Sequence, residues 1–334
     1  MEPQPFTYDE DQALNANAFF RSGYAFAGWS LGDGAVAYAN GETVSNLTDE
    51  LFGEVELFAV WTALPNEVTF AGCGGTPSEA VRSVLTDQPV GALPTAVRTG
   101  YAFAGWYTSA AGGSAVTAET VVTAPVTFYA HWTANEYTIG FDGRGGEGEM
   151  PGQPMKYDVE AALDENLFRR TGYTFLGWTD DEAELEEVLY YDGVVVSNLT
   201  SEADGTYDLY AVWAANASAV VFDANGGEGE MDAQEFLYDE AQPLDKNAFS
   251  CAGYAFAGWS TNAEGEVVFA DGATVSNLTA EADGVVTLYA QWTANSYTVE
   301  FDANGGEGEM GSQAFTYDVA SNLSSNAFVR VGYG

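Results

Sequence analysis

The sequence predicts a β-rich α+β protein made of small modules in tandem, and three observations predict it. Gly-Tyr-x-Phe-x-Gly-Trp occurs at 23–29, 100–106, 172–178 and 253–259, and begins again at Gly332-Tyr333. A second signature, an aromatic residue or Leu followed by Tyr (Phe58 in the first copy) and Ala-x-Trp, ends at Trp61, Trp132, Trp213 and Trp292. The segments around both alternate apolar and polar residues, the period of a half-buried strand. An internal period overrides the domain count expected from 334 residues, because the repeat is the unit that must bury its own core.

The elements follow in order within each module. Tyr297-Thr298-Val299-Glu300-Phe301 keeps its apolar residues on one parity and reads as an opening strand. Asp-Ala-Asn-Gly-Gly-Glu-Gly-Glu-Met follows at 223–231 and 302–310, with a variant at 142–150, and Asn-Gly after an alternating strand is a strong hairpin signal. A second extended run ends in Tyr157-Asp158, Tyr238-Asp239 and Tyr317-Asp318. The stretch after it, ending Asn-Ala-Phe or similar, has room for one helical turn. In Gly253–Trp259, Trp259 falls on the opposite face from Tyr254 and Phe256 unless the backbone bulges, and the Gly beside it points to such a bulge. The closing strand places Leu288, Ala290 and Trp292 inward, while Val60, His131, Val212 and Gln291 share an outward position.

Spacing locates the adaptable part. From Phe70, Phe141, Phe222 and Phe301 to the next Gly-Tyr is 30 or 31 residues, whereas from Gly-Tyr to the closing Trp is 38, 32, 41 and 39. Paired strands do not tolerate such variation and surface loops do, so the segments after Trp29, Trp106, Trp178 and Trp259 are variable loops.

Composition excludes several partners. Fifty acidic residues against nine basic ones give a net charge of −41. Phosphate recognition runs on clustered Lys and Arg, so nucleic acid is excluded and anionic membranes are repelled. No stretch approaches the roughly 18 apolar residues of a membrane span. Residues 1–30 hold no signal-peptide pattern, so a secretory signal is expected outside this chain. Cys73 and Cys251 fall at different repeat positions, unlike a disulfide framework.

The three linked signatures, Tyr-Thr-Val-x-Phe, Gly-Tyr-x-Phe-x-Gly-Trp and Leu-Tyr-Ala-x-Trp, resemble the Listeria-Bacteroides repeat, or internalin B-repeat, along nearly the whole chain. The resemblance implies small β-grasp-like modules, here in an elongated rod, and a place in bacterial cell-wall and surface proteins. The modules then run 67–132, 137–213 and 218–292, preceded by 1–61 without its opening strand and followed by a truncated 297–334. The second module departs from the pattern: Ala71-Gly72-Cys73-Gly74-Gly75 replaces the turn, and Ser-Asn-Leu-Thr is missing.

Several side-chain groups invite chemistry. Asp223, Asn225, Glu228 and Glu230 have the acid spacing of a partial calcium loop, which the hairpin turn explains without metal. The run Asp180, Asp181, Glu182, Glu184, Glu186, Glu187 reads as a solvated loop. Asn46, Asn198 and Asn277 stand in glycosylation sequons, although recurrence of the whole Ser-Asn-Leu-Thr favours a turn role. Neither His131 nor the lysines Lys156 and Lys246 recur at one repeat position. No catalytic, cofactor or metal residues are therefore assigned, and no enzyme activity or cofactor is expected.

The function expected is a non-catalytic spacer or stalk of an adhesin-like protein, located outside the cell, at its surface or in its wall. Its expected partners are the other domains of that protein. The alternatives are adhesion to a host protein or glycan through the variable loops and Tyr129, Tyr210 and Tyr289, or head-to-tail self-assembly by strand complementation between the incomplete end modules.

Overall fold

The computed structural model describes residues 1–334, and every regular element is a β-strand. This corrects the α+β expectation and with it the β-grasp comparison, which needs a helix packed across the sheet. The segment expected to hold a helical turn is instead tied down residue by residue. Gln242–Pro243 pairs with Thr274–Val275, and Leu244 N–H donates to the Ala273 carbonyl. Asn247 then turns its side chain onto its own neighbourhood, its Oδ1 accepting from Phe249 N–H at 3.0 Å and its Nδ2 donating to Phe249 O at 3.0 Å. Asn is prone to such local bonding in place of helix.

The chain divides into two compact units. One comprises Met1–Thr138, Pro154–Ala161 and Val196–Tyr207; the other comprises Ile139–Gln153, Ala162–Val195 and Asp208–Gly334.

In the first unit, the second repeat is a four-stranded curled sheet. The opening strand Pro65–Ala71 forms a hairpin with Val81–Leu85 and lies parallel to the closing strand Val126–Ala134, Phe70 beside Phe128. The other edge of the closing strand takes Tyr101–Tyr107 antiparallel. A parallel pair needs a long crossover, and here that crossover contains the Gly-Tyr strand and the variable loop. The core of Val68, Phe70, Trp106, Val122, Phe128 and Ala130 fills the concave side. In the first repeat, Tyr24–Ser30 pairs with Phe58–Ala63 around a smaller core of Leu14, Trp29 and Val44.

In the second unit, the fourth repeat has the same order: Gln234–Leu237, Ala217–Asp223, Gly284–Ala294, Tyr254–Ser260. The bulge expected at the Gly before Trp is present. Phe256 faces Trp292 and Gly258 faces Gln291, so the register slips at Ala257 and Trp259 turns inward, fully buried. Gly258 has φ +144°, and a Cβ there would lie 2.5 Å from Val267 Cγ1 and 2.7 Å from Phe269 O. Phe256 then meets Trp259 edge-on, at 4.9 Å between ring centroids. Removing a buried indole of this kind costs about 3–5 kcal/mol.

The inward tryptophan settles its N–H in two ways. Trp106 Nε1 donates to Pro94 O at 2.7 Å in a repeat where Ala96 leaves space. Trp29, Trp178 and Trp259 have no such acceptor, and each lies edge-on to Phe19, Phe168 and Phe249, the residues aligned with Ala96. In these three repeats the indole N–H is buried without a hydrogen-bond acceptor.

The outward position of the closing strand is less open than expected. Val212 is 1% exposed, and His131 lies flat on Tyr107 at 4.0 Å with Nε2 2.9 Å from Ser109 O. The variable loop folds back over this face of the sheet.

Candidate functional site: the joint between repeats

The closing strand of one repeat and the opening strand of the next are separated by one residue. Val126–Ala134 and Glu136–Asp142 leave only Asn135 between them; Asn216 and Asn295 hold the same place, and Leu64 does so at the first joint. Of the four residues between the modules bounded at 132 and 137, Thr133, Ala134 and Glu136 are therefore strand residues. The spacer residue is bonded on both sides: Asn135 N–H donates to Gly100 O at 2.9 Å, and Tyr157 N–H donates to Asn135 O at 2.9 Å. Its side chain reaches forward, Asn135 Nδ2 to Ser201 O at 2.8 Å. Asn216 repeats all three bonds, with Gly172 O, Tyr238 N–H and Ala280 O.

Around that pivot the recurrent signatures converge. Tyr101 Oη donates to Asp158 Oδ2 at 2.6 Å. Asp158 is the αL residue of its turn, φ +59°, and Asn198 holds it by two hydrogen bonds: Asp158 N–H to Asn198 Oδ1 at 2.6 Å and Asn198 Nδ2 to Asp158 Oδ1 at 2.8 Å. Arg98 lies over the Tyr101 ring at 3.6 Å with Nη2 3.9 Å from Asp158 Oδ2. Tyr157 meets Tyr101 edge-on at 5.8 Å.

In the second unit Tyr173, Asp239, Asn277, Arg170 and Tyr238 repeat the arrangement, the phenol-to-carboxylate distance being 2.9 Å. Tyr24 reaches Asp87 at 2.7 Å and Tyr254 reaches Asp318 at 3.0 Å.

The Gly of Gly-Tyr is required twice over. Gly100 and Gly172 have φ +75° and +77°, and a Cβ on either would lie 2.2 Å from the ring of Tyr157 or Tyr238. The next repeat's tyrosine rests on that bare Cα. At the first joint Thr86 stands in the tyrosine position, and Gly23 faces its methyl group.

The electrostatics follow from the same contacts. The Tyr101 hydrogen bond, with Asn198 second, holds the Asp158 carboxyl below its ordinary value; Asn277, with Tyr173 second, does so for Asp239. The phenols of Tyr24, Tyr101, Tyr173 and Tyr254 are raised, chiefly because each donates to a carboxylate that their ionisation would repel.

The residues singled out from the sequence divide accordingly. The sequon asparagines Asn198 and Asn277 lie in the joint, φ +56° and +54°, with both ends of the amide engaged. Asn46 makes the same pair with Asp9. Asp223 and Asn225 form the hairpin turn: Asp223 Oδ1 accepts Asn225 N–H at 2.7 Å, and Asn225 Nδ2 donates to Ala263 O and Ala290 O. Glu228 pairs through its backbone with Ser250. Nowhere do three His, Cys, Asp or Glu side chains gather as metal ligands. Trp292 Nε1 donates to Ala224 O at 2.9 Å, and Gly227 clears the space for its ring.

In the acidic run, the carbonyls of Asp181 and Glu184 accept from the Arg144 guanidinium, which lies 5.0 Å from the Tyr210 ring centre. Tyr129, Tyr210 and Tyr289 are half-buried.

Both cysteines now have a position. Cys73 occupies the αL turn site of Arg144 and Asn225, and Cys251 occupies the joint site of Arg98 and Arg170; both are free thiols. The joint was missed in the sequence because its members are 57 to 66 residues apart. The signal that could have found it was the joint recurrence of Arg-x-Gly-Tyr, Tyr-Asp and Ser-Asn-Leu-Thr.

Short all-β repeats bound to their neighbours by one pivot residue and a shared polar cluster define a tandem-repeat protein. A model of the Listeria-Bacteroides repeat domain matches residues 2–49, 67–131, 137–203 and 219–291, and the chain belongs to that family. It is 30% identical over 301 residues to a protein of Evansella cellulosilytica whose name describes a Gly-rich membrane protein, covering 86% of this chain and 31% of that one. A second Evansella cellulosilytica protein, named as a membrane protein, is 28% identical over 83% of this chain and 39% of its own length. Internalin H of Listeria monocytogenes is 35% identical over 91 residues, 26% of this chain and 16% of that protein. The chain thus spans about a third of the two longer matches. No helix in it is long and apolar enough to cross a membrane.

Proposed function

We propose that the chain is a non-catalytic spacer segment of a bacterial cell-surface or secreted protein, holding other domains of that protein at a set separation. The joint carries this reading. A flexible linker needs no particular side chains, whereas here Arg, Gly, Tyr, Asp and Asn are spent on fixing one repeat against the next through a single bonded pivot. Membership of the repeat family and the naming of two long relatives as membrane proteins support a place at the cell surface. A net charge of −41 adds hydration and self-repulsion, which oppose collapse of the modules onto one another.

The test is a ruler measurement on the whole chain. With Cys73 and Cys251 replaced by Ser, spin labels are placed pairwise at Gly34, Ala110, Glu186 and Glu264, all in the variable loops. A spacer gives distances that grow with each added repeat and have narrow distributions. Distances that do not grow with repeat number would refute it.

A further inference from the structure

We propose that residue 251 makes the junction of the fourth and fifth repeats the compliant joint of the array. At the other joints an arginine two residues before the Gly completes the cluster: Arg21, Arg98 and Arg170 lie 3.7, 3.6 and 3.7 Å from the centres of the Tyr24, Tyr101 and Tyr173 rings. Two of them also face the next repeat's carboxylate, Arg21 at 3.8 Å from Asp87 and Arg98 at 3.9 Å from Asp158. Arg170 acts on Asp239 electrostatically in the same sense.

The guanidinium therefore links a ring of one repeat to a carboxylate of the next, and it stiffens the joint in both contacts. At the fourth joint the position holds Cys251, half-buried and free. The Tyr254–Asp318 bond and the edge-on Tyr254–Tyr317 pair are retained there, at 3.0 Å and 5.5 Å. No guanidinium lies over the Tyr254 ring or beside the Asp318 carboxylate, in contrast to the Arg21, Arg98 and Arg170 contacts of the other joints. The two backbone bonds of the pivot are kept, Asn295 N–H donating to Gly253 O and Tyr317 N–H to Asn295 O, each at 2.9 Å, whereas the forward side-chain bond of Asn135 and Asn216 and the amide pair that Asn198 and Asn277 make with the turn carboxylate have no counterpart at Asn295 and Asp318. The thiol plays no chemical part; what matters is the missing positive charge. This compliance belongs to the joint and is independent of what the array spaces or binds.

Amide hydrogen exchange on the full chain tests it, read at the pivot amides Asn216 and Tyr238 for the third joint and Asn295 and Tyr317 for the fourth. A guanidinium over an exposed ring corresponds to roughly a two- to fivefold change in local opening. Cys251→Arg is expected to slow exchange at Asn295 and Tyr317 by that factor, with Cys251→Ser leaving it unchanged. Arg170→Cys is expected to speed exchange at Asn216 and Tyr238 by a similar factor, which separates the arginine's effect from any looseness peculiar to residues 297–334. Unchanged exchange in either Cys251→Arg or Arg170→Cys overturns the proposal, as does Cys251→Ser slowing exchange as much as Cys251→Arg.

Discussion

Gly172→Ala is the sharpest perturbation of the joint, because two separable penalties meet at one atom. The first is backbone: φ +77° is left-handed, where a non-Gly residue costs about 1–2 kcal/mol. The second is steric. The new Cβ would lie 2.2 and 2.3 Å from Tyr238 Cδ1 and Cε1, so the ring must leave. Its departure gives up the edge-on contact with Tyr173, at 5.9 Å and 74°, which contributes about 0.5–1.5 kcal/mol. Displacement of the following turn also weakens the Tyr173–Asp239 bond, an exposed contact that adds little. Together the backbone and ring contributions give about 1.5–3.5 kcal/mol at the joint, roughly a 10- to 400-fold acceleration of hydrogen exchange at the Asn216 amide. In a Tyr238→Ala background only the backbone penalty remains, about 1–2 kcal/mol. The cycle should therefore show a coupling of about 0.5–1.5 kcal/mol. Equal acceleration by Gly172→Ala with and without the Tyr238 ring would refute the reasoning that Gly172 is bare for that ring.

The remaining expectations concern the same cluster and the core beneath it. Tyr101→Phe removes the bond to Asp158 and should speed exchange at Asn135 by a few-fold at most, without loss of the fold, because the contact is exposed. Joint strength should depend on pH in two directions. The depressed Asp158 and Asp239 carboxyls contribute stability above the ordinary carboxylate value of about 3.9, lost as pH falls through their lower folded values. The raised Tyr101 and Tyr173 phenols contribute stability below 10.0, lost as pH rises through their higher folded values. Pivot-amide protection, corrected for the intrinsic pH dependence of exchange, should thus be flat between these limits and fall outside them. Gly258→Ala puts a Cβ 2.7 Å from a backbone oxygen at φ +144° and should destabilise the fourth repeat by about 3–5 kcal/mol, read from its tryptophan fluorescence in denaturant.

Much of a single repeat was legible because its determinants are local. The strand parity of Leu288, Ala290 and Trp292, the Asn-Gly turn and the bulge implied by Gly258 beside Trp259 all follow from residues within a few positions of one another. The helical turn did not form because Asn247 and its neighbours found side-chain and ladder partners that local propensity does not weigh. The outward position misled for a related reason: the loop whose Ser109 carbonyl meets His131 varies in length between repeats, and its path is not written in the strand it packs on.

By itself, then, the sequence determined the repeat, its strands, its bulge and its family, since periodicity and turn chemistry act over short distances. Only the tertiary structure decided what the recurring Arg, Gly, Tyr, Asp and Asn are for. Their contacts run from each repeat to the next across 57 to 66 residues, and a glycine that reads as a flexible point in the sequence is, in the fold, the bare surface on which the neighbouring tyrosine rests.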